Sequence, residues 1–394
     1  MKKFLSILLA IVMCLAVAVP AFAANTTSDL KFGTDGKFKI MQLNDTQDMI
    51  LKDVAEVKLI MASIEQENPD LLVFVGDQLT DFYPGANIKG LKKCLSNLFD
   101  IIDSYDIPFI LTFGNHDHDY EDMWPLEEQL AFYKQYKNCI VPDDRCDAGT
   151  YNVPIMSSNG KKVAFNIYMM DTNNKRADSD LLTGYEGVRE NQVEWYKKTS
   201  DELKAANGGK VVPSLLFQHI PCKEIYQFLD EVSYKDAGDD AVFSIDNFKW
   251  YTLNDKVIDG VLGEVPCSEP LESHTGQYQA WVEKGDIVGA FFGHDHVNSF
   301  YGKTDDGIVM GYNGGTGFSS YGRGGDRSVR VFEIDENDPA NYDTYELKFN
   351  EMVLDIPFYF LDLFSPAIVT TLGKIFKVIF PGFVWDLILD SMAE

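Results

Sequence analysis

Short apolar runs alternate with amphipathic stretches from Lys37 to about residue 335. Phe38–Leu43, Leu71–Val75, Pro108–Phe113, Val163–Met170, Val211–Phe217 and Ile287–Phe292 are continuous or nearly continuous apolar segments bounded by polar or turn residues. Their length and boundaries predict buried strands. Ile308–Tyr312 and Val329–Ile334 predict the last strands. Between the first two runs, Val57, Ile60 and Ile64 recur at helical spacing and predict a helix over Val54–Gln66. Further helices are expected over Leu91–Ser104 and Asn191–Ala206. Strands alternating with helices predict an α/β domain, spanning roughly residues 30–340 without an internal repeat or low-complexity linker.

Several of these strands end in a polar cluster. The clusters are Asn44-Asp45-Thr46-Gln47, Gly76-Asp77-Gln78, Gly114-Asn115-His116-Asp117, Gln218-His219 and Gly293-His294-Asp295-His296. Ligand sites in α/β sheets gather beyond the carboxyl ends of strands, so residues distant in sequence can meet in one crevice. Asp45, Asp77, Asn115, His219, His294 and His296 make a mixed oxygen and nitrogen set, which suits Zn, Mn or Fe better than calcium. The chain has six histidines, and four of them stand in these clusters. Two ions roughly 3.5–4 Å apart can clamp a phosphate and activate a bridging water. The set therefore predicts hydrolysis of a phosphate ester by a water bridging two metal ions. Asp77 is the expected shared carboxylate. His116 is the expected catalytic imidazole, able to protonate the leaving oxygen, with Asp117 as the partner that orients it. For His118 two readings stay open: a substrate contact at the rim, or a solvated loop residue.

The order and spacing of the clusters resemble the calcineurin-like metallophosphoesterase superfamily. Gly184-Tyr185-Glu186-Gly187-Val188, Gln192-Val193-Glu194-Trp195, His219-Ile220-Pro221, Gly293 to Asn298 and the segment Gly317 to Arg323 resemble its purple-acid-phosphatase-like branch. The resemblance covers roughly residues 37–335. It implies a four-layer α/β/β/α sandwich and two metal ions. One would be held by Asp45, Asp77 and His296, the other by Asp77, Asn115, His219 and His294. By the same analogy Tyr185 and Arg323 would line the pocket, the latter facing a phosphate oxygen. One position departs from the pattern: Gln47 stands where the family usually has histidine. A glutamine carbonyl is a harder, weaker donor than imidazole, so the first ion is expected to bind less tightly or to favour Mn or Fe over Zn. Thr80 stands where a tyrosine colours the purple enzymes, so no such colour is expected.

Charge narrows the partners. A formal net charge of −27 opposes a nucleic-acid polymer, whose binding rests on Lys and Arg neutralising phosphates. A small phosphorylated substrate is compatible, because bound cations reverse the local field. Phosphomonoesters are the favoured substrates. The alternatives are a phosphodiesterase acting on nucleotides or phospholipid head groups, and a secreted binding protein without turnover. Lys2 and Lys3, the apolar run from Phe4 to Val19 and Ala21-Phe22-Ala23 predict a signal peptide over residues 1–23 and a secreted protein. Five cysteines follow it, with Cys139 and Cys146 spaced to bridge a short loop or remain free. The apolar tail 351–394 either packs on the domain or touches a membrane surface.

Overall fold

The computed structural model describes residue 25 and residues 28–80, 86–175, 184–244, 247–267 and 275–353. The expected signal peptide lies outside the described residues, as does the expected tail beyond residue 353. In chain order the first strands are β1 (Lys37–Leu43), β2 (Leu71–Val75), β3 (Phe109–Thr112), β4 (Tyr151–Met156), β5 (Val163–Met170) and β6 (Ser214–Gln218). Three short strands follow, β7 (Leu229–Val232), β8 (Val242–Phe243) and β9 (Trp250–Leu253). The last are β10 (Val257–Asp259), β11 (Ile287–Phe292), β12 (Tyr301–Lys303), β13 (Val309–Tyr312), β14 (Ser328–Asp335) and β15 (Asp343–Lys348). The helices of eight residues or more are α1 (Val54–Glu67), α2 (Ile88–Ile102), α3 (Leu126–Tyr133), α4 (Glu190–Ala206) and α5 (Gln277–Lys284).

The strands form a five-stranded sheet, β15-β14-β1-β2-β3, a seven-stranded sheet, β10-β12-β13-β11-β6-β5-β4, and a small sheet, β7-β9-β8. Within each large sheet a run of neighbouring strands is parallel: β1, β2 and β3 in one, β5, β6, β11 and β13 in the other. Their carboxyl ends therefore point the same way within each sheet.

Side-chain alternation shows how the layers stack, because successive residues of a strand face opposite sides. Phe165, Ile167 and Met169 of β5, Leu215 and Phe217 of β6, and Phe291 of β11 join the core shared with the five-stranded sheet. Their neighbours Tyr168, Met170, Leu216, Ala290 and Phe292 join a second core with Trp195 of α4 and Trp281 of α5. Phe332 of β14 meets Phe217 and Phe291 across the seam, at centroid separations of 5.5 and 4.6 Å. Helices thus cover the outer faces of two apposed sheets, the expected α/β/β/α sandwich. Asp53 caps α1 by accepting from the N–H groups of Ala55 and Glu56.

Two expectations are corrected. The strand expected from Val211 begins at Ser214, because Pro213 has no N–H for the ladder. β14 is not the last strand: β15 pairs with it antiparallel and carries the sandwich past residue 340. Of the two readings open for Cys139 and Cys146 the unbridged one holds, since all five described cysteines are free thiols. Among the described residues no helix is long and apolar enough to cross a membrane.

Candidate metal centre

β1, β2 and β3 deliver Asp45, Asp77 and Asn115 from one sheet. β6 and β11 deliver His219, His294 and His296 from the other. Tight turns aim them. Among the described residues eight non-glycine residues have positive φ, and Asp45 (53°), Gln47 (44°), Asp77 (51°) and His294 (70°) are four of these. Such conformations cost an L-residue energy and concentrate where the surroundings impose a geometry for function. The turn before Asp77 has room only for glycine. Gly76 has φ 83°, and a Cβ there would lie 2.6 Å from His219 Nδ1.

The side chains form two groups that share one carboxylate. Asp77, His219 and His294 offer ligand atoms within 4.8 Å of one another, and so do Asp45, Asp77 and His296. His219 Nε2 is 3.2 Å from Asp77 Oδ2, and His296 Nε2 is 3.2 Å from Asp45 Oδ1. Both rings are held from behind. His219 Nδ1 donates to the Val75 carbonyl at 2.9 Å, and His296 Nδ1 donates to the Tyr321 carbonyl at 2.7 Å. These bonds leave Nε2 as the atom facing inward in both cases. His294 Nδ1 faces His219 Nε2 at 3.3 Å.

This donor set fits a pair of cations. Asn115 Oδ1 is buried and finds no hydrogen-bond partner among the described residues, a condition costly for a polar atom unless a ligand completes it. Burial works against charge throughout, yet the groups stabilise one another's charged forms. Burial opposes ionisation of Asp77, but His219 and His116 hold its carboxyl well below the usual carboxylate range. Burial also opposes a charged His219, but Asp77 raises it to about 10. Burial and the His219 charge push His294 down to about 3. Bound cations would replace the imidazolium protons and balance the same carboxylates.

Gln47 joins the set through its nitrogen as placed. Nε2 lies 3.4 Å from both Asp77 Oδ2 and His296 Nε2. Turning the amide over brings Oε1 to the same place, and an amide's two ends are assigned from its surroundings.

His116 is a quarter exposed at the opening, with Nε2 3.8 Å from Asp77 Oδ2 and its backbone N–H donating to Asp77 Oδ1. Its expected partner is corrected. Asp117 turns away and accepts from the backbone N–H groups of Gly114 and Leu79 at 2.9 and 3.0 Å. Asp119 meets His116 Nδ1 at 2.9 Å instead. Residues 115–118 are one helical turn, which brings i and i+3 together and separates i from i+1.

His118 is buried rather than solvated, with Nε2 3.0 Å from Asp171 Oδ1 and Nδ1 3.1 Å from Glu121 Oε2. Arg323 pairs with Glu346 at 3.2 Å, both side chains 9% exposed. Tyr185 does reach the centre, packing edge-on against His294 with centroids 4.8 Å apart. The sequence reading missed Asp119, whose helical spacing from His116 was the available signal. It also missed Tyr321, which stacks on His296 and lies within the Gly317–Arg323 segment without being singled out there.

Two carboxylate–histidine groups sharing an aspartate, set at the strand ends of a double-sheet sandwich, define a metallophosphoesterase. The sequence model of the calcineurin-like phosphoesterases matches residues 38–298. The chain belongs to that family, whose activity is metal-dependent hydrolysis of phosphoesters. Two proteins of Arabidopsis thaliana are similar along most of their length. Probable inactive purple acid phosphatase 14 is 28% identical over 339 residues, covering 77% of each chain. Probable inactive purple acid phosphatase 29 is 24% identical over 359 residues, covering 82% of this chain and 83% of its own. A dimetal phosphatase from Danio rerio superposes with a TM-score of 0.45 at 10% identity, covering 79% of this chain and 99% of its own.

Proposed function

We propose that this protein hydrolyses phosphate monoesters with two metal ions. Asp45, Gln47, Asp77 and His296 would hold one, and Asp77, Asn115, His219 and His294 the other. The observation that carries the reading is the shared Asp77 between two inward-facing donor groups, with the Asn115 oxygen still in need of a partner. When bound, the ions supply Lewis-acid activation of water and of the phosphoryl oxygens. The chain's own residues do the rest. Gly76 and the Val75 carbonyl fix His219, so that Nε2 and not Nδ1 faces inward. His116, with Nδ1 held by Asp119, presents Nε2 beside Asp77 at the open side. A doubly protonated His116 can hand the Nε2 proton to the departing ester oxygen.

We favour monoesters because the ligands lie deep: Asp45, Asp77, Asn115, His219 and His296 are at most 4% exposed, which suits a phosphoryl group carrying one ester arm better than one carrying two.

A second reading is favoured by the names of the two plant relatives, both called probable inactive phosphatases. In that reading the fold binds a partner without turnover. One experiment separates them: hydrolysis of p-nitrophenyl phosphate and bis-p-nitrophenyl phosphate by protein stripped of metal and reloaded with Mn, Zn or Fe, with Asp77→Asn alongside. Metal-dependent turnover of the monoester, lost in Asp77→Asn together with both ions, supports the proposal. Two bound ions with no turnover of either ester refutes it in favour of the binding protein.

A further inference from the structure

The two halves of the centre are braced differently, and the difference lies behind His296. The Tyr321 ring lies flat on the His296 imidazole, with centroids 4.2 Å apart and planes 7° from parallel. The carbonyl of the same residue accepts from His296 Nδ1 at 2.7 Å. The Tyr321 hydroxyl is tied in turn to Glu264, 3.0 Å from Oε1 and 3.3 Å from Oε2. Glu264 also accepts from the Val297 N–H, one residue beyond His296.

The segment bearing Tyr321 is itself anchored. The Gly315 N–H donates to the His296 carbonyl, and the Gly317 N–H to the Asp45 carbonyl, both near 3 Å. The Phe318 N–H donates to Asp53 Oδ2 at 2.8 Å, and Arg327 donates to the carbonyls of Gly317 and Ser320. A single tyrosine thus fixes the tautomer of one imidazole through its carbonyl and the plane of that imidazole through its ring. His294 instead meets Tyr185 and His219 edge-on, with centroids 4.8 and 5.2 Å away, and its Nδ1 faces His219 Nε2 at 3.3 Å.

We infer that Tyr321 and Glu264 form a clamp that positions His296, and that this clamp decides whether the ion of the Asp45–Asp77–His296 half stays bound. The inference rests on the proposed two-metal reading. It explains how that half can hold an ion although its fourth donor is the neutral amide of Gln47. A rigid imidazole loses less freedom on binding and offsets a weak neighbour.

The test is stepwise Mn2+ binding to the metal-stripped full chain by calorimetry, with metal content per chain measured after gel filtration. His296→Gln and His294→Gln show which step belongs to which half. Tyr321→Ala should reproduce the His296→Gln pattern, with one ion weakened by about 10- to 100-fold and the other unchanged. Tyr321→Phe keeps ring and carbonyl and should weaken the same step by less than about tenfold. Glu264→Gln should behave like Tyr321→Phe, and these two milder variants decide the matter if Tyr321→Ala fails to fold. Wild-type binding of both ions in Tyr321→Ala, or equal weakening of both, would overturn the clamp. A wild-type chain that binds no ion would overturn the clamp and the two-metal reading together. Two ions bound without turnover would refute only the catalytic reading and leave the clamp standing.

Discussion

His118 and Asp171 tie the two sheets together beside the centre, and their pairing has a measurable pH signature. His118 follows β3 of the five-stranded sheet, and Asp171 follows β5 of the seven-stranded sheet. The charged groups facing the imidazole are Asp171 and Glu121. Burial disfavours a charged ring, but Asp171 and Glu121 raise His118 from 6.5 to about 9. Because the folded value lies above the unfolded one, the stabilisation is complete below about pH 6.5 and disappears as pH rises through about 9. At 1.36 kcal/mol per pKa unit this amounts to roughly 3 kcal/mol. Removing either partner alone leaves the other buried and uncompensated, so a double-mutant cycle is needed. Urea denaturation of the wild type, His118→Gln, Asp171→Asn and the double variant should give a clearly favourable coupling at pH 6. The coupling should fall toward zero by about pH 9.5. A coupling that is the same at both pH values would refute a charged His118.

Three further outcomes are expected. Gly76→Ala should destabilise the fold by about 2–4 kcal/mol, combining left-handed strain with a Cβ forced against His219 and the Gly114 nitrogen; denaturant midpoints check it. His116→Gln should lower kcat by about 10²- to 10⁴-fold while the metal content per chain stays unchanged, and Asp119→Asn should lower it less. Metal affinity should rise from pH 6 to pH 9, because His219, raised to about 10 in the ion-free centre, must release its proton to become a ligand; calorimetry in buffers of different ionisation enthalpy counts the protons released.

The interior strands were legible because both faces are buried. Leu71–Val75 is apolar throughout and Val163–Met170 is apolar but for Asn166, and both begin and end where expected. The candidate ligands were legible for a related reason: each sits just past such a strand, where an aspartate or histidine interrupts an apolar run. What stayed hidden depends on contacts made only in three dimensions. The edge strand β15, Asp-Thr-Tyr-Glu-Leu-Lys, carries little apolar pattern because only one of its six residues is buried. Asp171 was visible as a strand end, but its pairing with His118, 53 positions away, was not. Tyr321 carries no catalytic chemistry of its own, and its stacking on His296 arises only when the Gly317–Arg323 segment folds back over β11's end. Asp117 was misread because adjacency in sequence was taken for adjacency in space within a helical turn.

Asp45, Asp77 and Asn115 come from one sheet, and His219, His294 and His296 from the other, so a pair of bound ions would rivet the sandwich through its seam. Metal occupancy then becomes a property of the whole fold. At a free ion concentration a thousand times Kd, the folded state gains about 4 kcal/mol over an unfolded chain that does not bind. Chelation would remove that rivet and loosen the docking of the sheets, so that proteolysis between them would report the loss of metal as directly as any loss of turnover.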